Sequence, residues 1–351
     1  MGIYDSITYM NDLDYVWKKS NILDKFIGKT VFITGATGLI GSAVADLLLR
    51  YSEMNCGCIK VYVAGRDENK VFQRFERYKN KGYFHFVNYE ANELNSFDFA
   101  CNYVIHCASV ATPSLISKYP IETMLSSFIG MKNLLDYAVD KNVNNTVFVS
   151  SSEVYGKRSN IDLFCEHEYG YIDFLNPRSS YPVGKIAAET LCVSYCVEKN
   201  INVSIVRPGH VYGPTASRYD NRVSSQFAYD AADGKNLILK SKGTQQRSYC
   251  YMLDCATAIL TVLISGKSGD AYNISNQSSI KTIYELSRLY ADYGKVDIKF
   301  AVPKEMEKRA FNPMENSGLD SRKLCDLGWN ALYNAEMGTE HTIKIIKEAN
   351  I

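Results

Sequence analysis

The stretch that most limits what this chain can fold into is "KTVFITGATGLIGSAVADLLLRY", Lys29 to Tyr51. A short apolar run enters a glycine-rich turn and leaves at once as a helix-forming segment. Gly35, Gly38 and Gly41 stand at the spacing GxxGxxG. Glycines there permit a tight turn and let the backbone come close to a ligand. The helix that follows offers free N–H groups and the positive end of its dipole, a seat for a diphosphate. Strand, turn and helix in direct succession open a dinucleotide-binding βαβ unit.

The same rhythm continues to Arg207. "IKVYVAG", "YFHFVNY", "YVIHCAS", "NTVFVSSS" and "NVSIVRPG" are further short apolar runs, separated by helical stretches such as "PIETMLSSFIGMKNLLDYAVDKN". Continuous apolar strands alternating with amphipathic helices predict an α/β fold, a Rossmann-type doubly wound parallel sheet covered on both faces. Residues 1–28 read as an N-terminal helical extension, with helical spacing over about 10–26. Residues 29–207 read as the dinucleotide-binding domain. After Arg207 the chain turns to "RPGHVYGPTASRYDNR", and residues 208–351 read as a smaller substrate-binding lobe, some of whose segments return to the sheet.

Bulk properties narrow the function. With 351 residues and 46% hydrophobic content, a sizeable core is expected. A net charge of +1 gives no broad field for nucleic acid or an anionic membrane. No run reaches the ~18 apolar residues of a membrane helix, and the first residues lack an apolar signal core. The ten cysteines form no CxxC pair, so reduced thiols, no metal site and a cytoplasmic location are expected.

The glycine turn assigns Gly35, Thr37, Gly38, Leu39, Ile40 and Gly41 to the dinucleotide. At the end of the second run, "VAGRDENK", Gly65 stands where an NAD site usually carries an acid, and Arg66 follows. A guanidinium there can grip a 2′-phosphate or stack on adenine, which favours NADP slightly over NAD, with Asp67 still in reach of a ribose. Tyr181 and Lys185, in "YPVGK", share one helix face. A lysine there lowers the phenol's pKa and can hold a ribose. "SSSEVYG", Ser150 to Gly156, puts three hydroxyls and a carboxylate at a strand end, where such sheets meet their ligands. His106 is expected to be a buried histidine bonded to backbone.

The ordered set "TGATGLIG", "HCAS", "SSSEVYG", "YPVGK" and "RPGHVYGP" resembles the extended short-chain dehydrogenase/reductases, the NAD-dependent epimerase/dehydratase family, that act on nucleotide sugars. The resemblance runs from about Lys29 to "LDSRKLCDLGWNALYNAEMGTEHTI". "HCASVATPSLISKYPIETMLSSFIGMKNLL", "SSEVYG", "NPRSSYPVGKIAAETLCVSY", "DNRVSSQF" and "GTQQRSYCYMLD" are most similar to its UDP-glucuronate decarboxylase (UDP-xylose synthase) group. One departure is His210, which stands where that family has asparagine on the diphosphate side of the substrate.

The resemblance implies a transient oxidation of the sugar at C4. Tyr181 takes the proton of the 4-hydroxyl, Ser151 bonds the same oxygen, and Lys185 keeps Tyr181 acidic. Glu153 faces C5, and Arg247 orients a C5 carboxylate or relays a proton. A carboxylate β to the new ketone leaves as carbon dioxide. Ala108 and Ser109 approach the cofactor through backbone, Glu90 accepts from the adenine amino group, and His210, Arg222 and Arg247 serve the substrate. Other outcomes stay open: 4-epimerisation, 4,6-dehydration, reduction of a 4-keto sugar with NADPH, or a nucleotide-binding protein without catalysis. The resemblance also implies a homodimer through the helices near residues 121–140 and 181–200, and a setting in surface polysaccharide synthesis.

Overall fold

Val31, Phe32 and Ile33 are all fully buried, so strand β1 (Thr30–Thr34) must lie in a sheet covered on both faces. The computed structural model, which describes residues 2–159, 162–303, 312 and 314–351, has that sheet at its centre. The other strands in chain order are β2 (Lys60–Gly65), β3 (Phe84–Asn88), β4 (Tyr103–His106), β5 (Asn145–Val149), β6 (Val203–Pro208), β7 (His210–Tyr212), β8 (Leu237–Leu239), β9 (Gln246–Tyr251), β10 (Ala271–Ile274), β11 (Ile280–Thr282), β12 (Ile298–Phe300) and β13 (Asn316–Ser317). Helices are α1 (Ile7–Ser20), α2 (Leu39–Met54), α3 (Glu68–Arg74), α4 (Pro113–Lys118), α5 (Pro120–Asp140), α6 (Ser180–Lys199), α7 (Val223–Ala232), α8 (Met252–Ser265) and α9 (Ile283–Gly294). They are followed by one turn at Arg322–Cys325 and the C-terminal helix Ala335–Ala349.

The central sheet has the order β10-β6-β5-β4-β1-β2-β3, and every neighbouring pair is parallel. The chain builds outward from β1 through β2 to β3, then crosses back to place β4 on the other side of β1. That reversal opens a crevice at the carboxyl ends of β1 and β4, where Thr34 stands beside His106. Side chains alternate across the sheet. Val31, Ile33, Ile105 and Val147 join the core shared with α2 and α8, whereas Phe32, Val104 and Phe148 face α5 and α6. β10 comes from the C-terminal half and completes the sheet beside β6, so the last third of the chain contributes to both lobes.

The smaller lobe centres on β9, which pairs with β7 and β13 in parallel and with β11 antiparallel. β8 and β12 form a separate two-stranded pair. The N-terminal helix differs in extent from the 10–26 expectation. Ser6 caps α1 by accepting from the Tyr9 amide at 3.0 Å, and Asn21 ends it in the left-handed region at φ 48°, before a single turn at Leu23–Phe26.

Candidate active site

The glycine turn lies where β1 meets the crevice. Gly35 has φ +67°, and a Cβ there would sit 2.6 Å from the Ala108 amide nitrogen. A Cβ on Gly41 would strike the Gly35 carbonyl oxygen. The turn is therefore pressed against the end of β4 and leaves only backbone facing outward. Thr37 and Gly38 are exposed at its tip, Ile40 is half-buried, and Leu39 and Gly41 are buried. Gly38 caps α2 with no side-chain hydrogen bond among the described residues, so the amides of the first turn are free to take an anion. Ser109, just past β4, has a buried hydroxyl without a partner among the described residues. These features fit a dinucleotide: a close backbone approach, an open helix N-terminus and a waiting polar group.

At the far side of this groove, Arg66 stands exposed after β2, and its guanidinium lies 3.7 Å from the Glu90 carboxylate. Glu90 is thus shared with an arginine. Asp67 is used locally: its side chain caps α3 by accepting from the Lys70 amide at 3.2 Å. His106 differs from the sequence expectation. Its Nδ1 lies 2.7 Å from the Thr34 hydroxyl rather than on backbone, and burial pushes its pKa down to about 3.

Tyr181 and Lys185 lie one turn apart near the start of α6, both buried. Burial and then the Glu153 charge push the Tyr181 phenol up to about 12, while a hydrogen bond with Ser151 and the charges of Arg222 and Arg178 act to lower it. Lys185 is not among the largest influences on the Tyr181 phenol. The Lys185 ammonium donates to the Val149 carbonyl at 2.8 Å, lies 4.7 Å from the Phe148 ring centroid, and is 6.0 Å from that of Tyr181. Burial pushes Lys185 down to about 8, so its own charge is costly.

β5 ends in Ser150 and Ser151. The Ser151 hydroxyl accepts from the Glu153 amide at 3.2 Å, capping the single turn Ser152–Tyr155 and fixing its own position beside Tyr181. Ser150 keeps a buried, unpartnered hydroxyl among the described residues. Glu153 accepts from Arg178 Nη2 at 2.9 Å, in a largely buried pair. Nothing local in "NPRSSYPVGK" marks Arg178 as a functional residue, because its partner Glu153 lies 25 residues earlier in the chain.

The substrate-side candidates come from the smaller lobe. Arg247, on β9, is buried, and its guanidinium is spent on carbonyls: Gln246 at 2.8 Å, Glu315 at 3.2 Å and Met314 at 2.8 Å. Burial lowers its pKa. Arg222 precedes α7 and is clamped by Asp220 through Nε at 2.8 Å. His210 opens β7 with an unpartnered buried Nδ1 among the described residues, and burial followed by Arg247 and Arg222 pushes it to about 3. A neutral imidazole that feels two guanidinium charges is suited to an anion that would offset both. Of the sequence candidates, Ser151, Glu153, Tyr181 and Lys185 are gathered at the ends of β5 and α6. His210, Arg222 and Arg247 form a second group whose charges reach the first.

Comparisons with known proteins agree on this architecture. The profile of the NAD dependent epimerase/dehydratase family matches residues 31–275. UDP-glucuronic acid decarboxylase 1 of Xenopus tropicalis is 26% identical over 330 residues, covering 91% of this chain and 72% of that protein. UDP-glucuronic acid decarboxylase 6 of Arabidopsis thaliana is 27% identical over 300 residues, covering 85% and 83%. Among solved structures, a UDP-glucuronic acid 4-epimerase from Bacillus cereus, in complex with UDP-glucuronic acid and NAD, superposes with a TM-score of 0.75 at 20% identity, covering 91% of this chain and 99% of that one. A dTDP-glucose 4,6-dehydratase from Streptomyces venezuelae with NAD bound reaches 0.77 at 20% identity, covering 91% and 97%.

Proposed function

The chain belongs to the NAD dependent epimerase/dehydratase family, and from that premise we propose that it is a nicotinamide-dependent, UDP-glucuronate decarboxylase-like enzyme acting on a nucleotide sugar. One observation carries the reading: Tyr181 has the Ser151 hydroxyl beside it and feels the charge of the Glu153 carboxylate, at a carboxyl-end strand terminus of the sheet that also carries the glycine turn. The relatives matching most of the chain, at 26–27% identity, are decarboxylases of UDP-glucuronic acid, which supports that substrate over a neutral hexose.

Gly35, Gly38, Gly41, Ala108 and Ser109 would hold the dinucleotide, and when bound it supplies reversible hydride acceptance at C4. Tyr181 takes the proton of the 4-hydroxyl as its phenolate, a form that burial and Glu153 disfavour and that the Ser151 hydrogen bond and the Arg222 and Arg178 charges favour. Ser151 steadies the changing charge on the sugar oxygen. Lys185, pushed to about 8, can hold or release a proton near neutral pH beside the same helix turn. Glu153 serves the C5 side as acid, base or anchor for water. Arg247 fixes the backbone of Met314–Glu315 against β9 and contributes positive charge next to His210. His210 and Arg222 receive the diphosphate half.

Arg66 supports a preference for NADP over NAD, and the neighbouring Glu90 carboxylate opposes a 2′-phosphate and keeps that preference small. Replacing Arg66 with Ala should raise KM for NADP more than for NAD. A homodimer through α5 and α6 is supported by exposed Ile121, Met124, Leu125 and Phe128 on the first helix and Val193 and Val197 on the second. A cytoplasmic location is consistent with ten free thiols. The test of the function is incubation with UDP-glucuronate, UDP-glucose, GDP-mannose and dTDP-glucose, read by mass. Loss of carbon dioxide from UDP-glucuronate is expected. Loss of water from a neutral sugar would make the enzyme a dehydratase, an unchanged mass with a new isomer an epimerase, and bulk NADPH consumption a reductase.

A further inference from the structure

We propose that Arg178 recognises the carboxylate on the substrate's C5, exchanging its partner Glu153 for that group and so setting the preference for an acidic sugar. The inference rests on the decarboxylase reading. Arg178 sits on the turn Pro177–Ser179, which runs straight into α6, so its backbone is fixed three residues before Tyr181. Its side chain is only 10% exposed, and its charge is felt at the Tyr181 hydroxyl. One nitrogen, Nη2, holds Glu153 at 2.9 Å. Another, Nε, is buried and has no partner among the described residues.

The other two arginines near the site are differently placed. Arg247 gives both terminal nitrogens to backbone carbonyls, and Arg222 is held by Asp220. Of the three, Arg178 is the one with an unpartnered buried N–H among the described residues. A buried donor of this kind is costly unless something accepts from it. A guanidinium also matches a carboxylate through two parallel N–H bonds, which a neutral hydroxymethyl cannot reproduce. As the sugar carboxylate takes this guanidinium, Glu153 is released beside Tyr181, where the C5 proton chemistry takes place. Arg178 itself makes and breaks no covalent bond.

The test measures binding of UDP-glucuronate and of UDP-xylose, which lacks the carboxylate, to wild type, R178Q and R178K by titration calorimetry. R178Q should lose about 10- to 100-fold in affinity for UDP-glucuronate and less than about threefold for UDP-xylose. R178K, which keeps the charge but not the fork, should recover part of the preference, and it carries the test if R178Q does not fold. Equal weakening of both ligands, or an undiminished preference for UDP-glucuronate, overturns the assignment. If wild type decarboxylates UDP-glucuronate and R178Q keeps its preference, only the role of Arg178 fails. If wild type releases no carbon dioxide from UDP-glucuronate, the decarboxylase reading fails and the proposal with it.

Discussion

Two regions of this molecule bury polar groups, and they do so in opposite ways. At the termini, α1 is fastened to α2 and to the C-terminal helix by carboxylates whose bonds are complete. Asp46, fully buried, accepts from Tyr4 and Tyr9 hydroxyls, each at 2.5 Å, and pairs with Arg74. Glu348 accepts from Ser6 at 2.7 Å and from the Thr8 hydroxyl at 2.9 Å. Asp12 takes His341 at 2.8 Å and the Tyr251 hydroxyl at 3.1 Å. In the crevice, by contrast, Ser109, Ser150, Arg178 Nε and His210 Nδ1 are buried without partners among the described residues. Satisfied burial is what a fastening needs, and a buried group without a protein partner can be completed by a ligand. The first region has exceptions among the described residues: the hydroxyls of Ser20 on α1, Tyr78 beside Tyr4 and Thr339 on the C-terminal helix are buried without a partner.

Substitutions should separate the two regions cleanly. The largest effect belongs to the crevice. Y181F should lower turnover about 100- to 10,000-fold, because it removes the proposed acid/base group, while leaving the thermal midpoint unchanged. Measurable decarboxylation at near wild-type rate would break the contrast. Next comes the fastening. D46A leaves the Arg74 charge buried and unpaired, and urea unfolding should show a loss of about 3–5 kcal/mol with turnover per folded molecule retained. G35A sharpens the comparison from the crevice side. Its positive φ and the nearby Ala108 amide force the turn to shift, and dinucleotide affinity should fall about 5- to 100-fold in a fluorescence titration.

The smallest effect is the pH dependence of the His341–Asp12 pair. The bond to Asp12 raises the His341 pKa. Its stabilisation is therefore full below the unfolded value of about 6.5 and is lost as pH rises through the higher folded value. With His341 partly exposed, the contribution is about 1 kcal/mol or less. H341Q should flatten the fall in thermal midpoint between slightly acid and slightly alkaline buffer without touching turnover. An unchanged slope would remove His341 from the fastening.

The parts of this architecture legible in the sequence are those with a local signature. The glycine turn, the alternation of apolar runs with helices, and the Tyr181–Lys185 pair each lie within a few residues of one another. What escaped is held by distance along the chain. Arg178 and Glu153 are 25 residues apart, Arg74 and Asp46 are 28 apart, and His341 and Asp12 are 329 apart. Residue type and spacing carry no trace of such pairs. The contact made by the Lys185 ammonium was hidden for a related reason. The YxxxK spacing sets the helix face, but burial and the Val149 carbonyl decide where the ammonium points. Arg247 likewise lies in a motif whose residues were readable, while the carbonyls of Met314 and Glu315 that engage it were not.

The central claim is that a sugar alcohol next to Tyr181 is oxidised at C4 and then restored. A quenched single turnover with UDP-glucuronate deuterated at C4 tests it most directly. The account predicts that the label is found in reduced nicotinamide at early times and back in a decarboxylated sugar at completion. A label that never leaves the sugar, or one that stays in the cofactor, would contradict it.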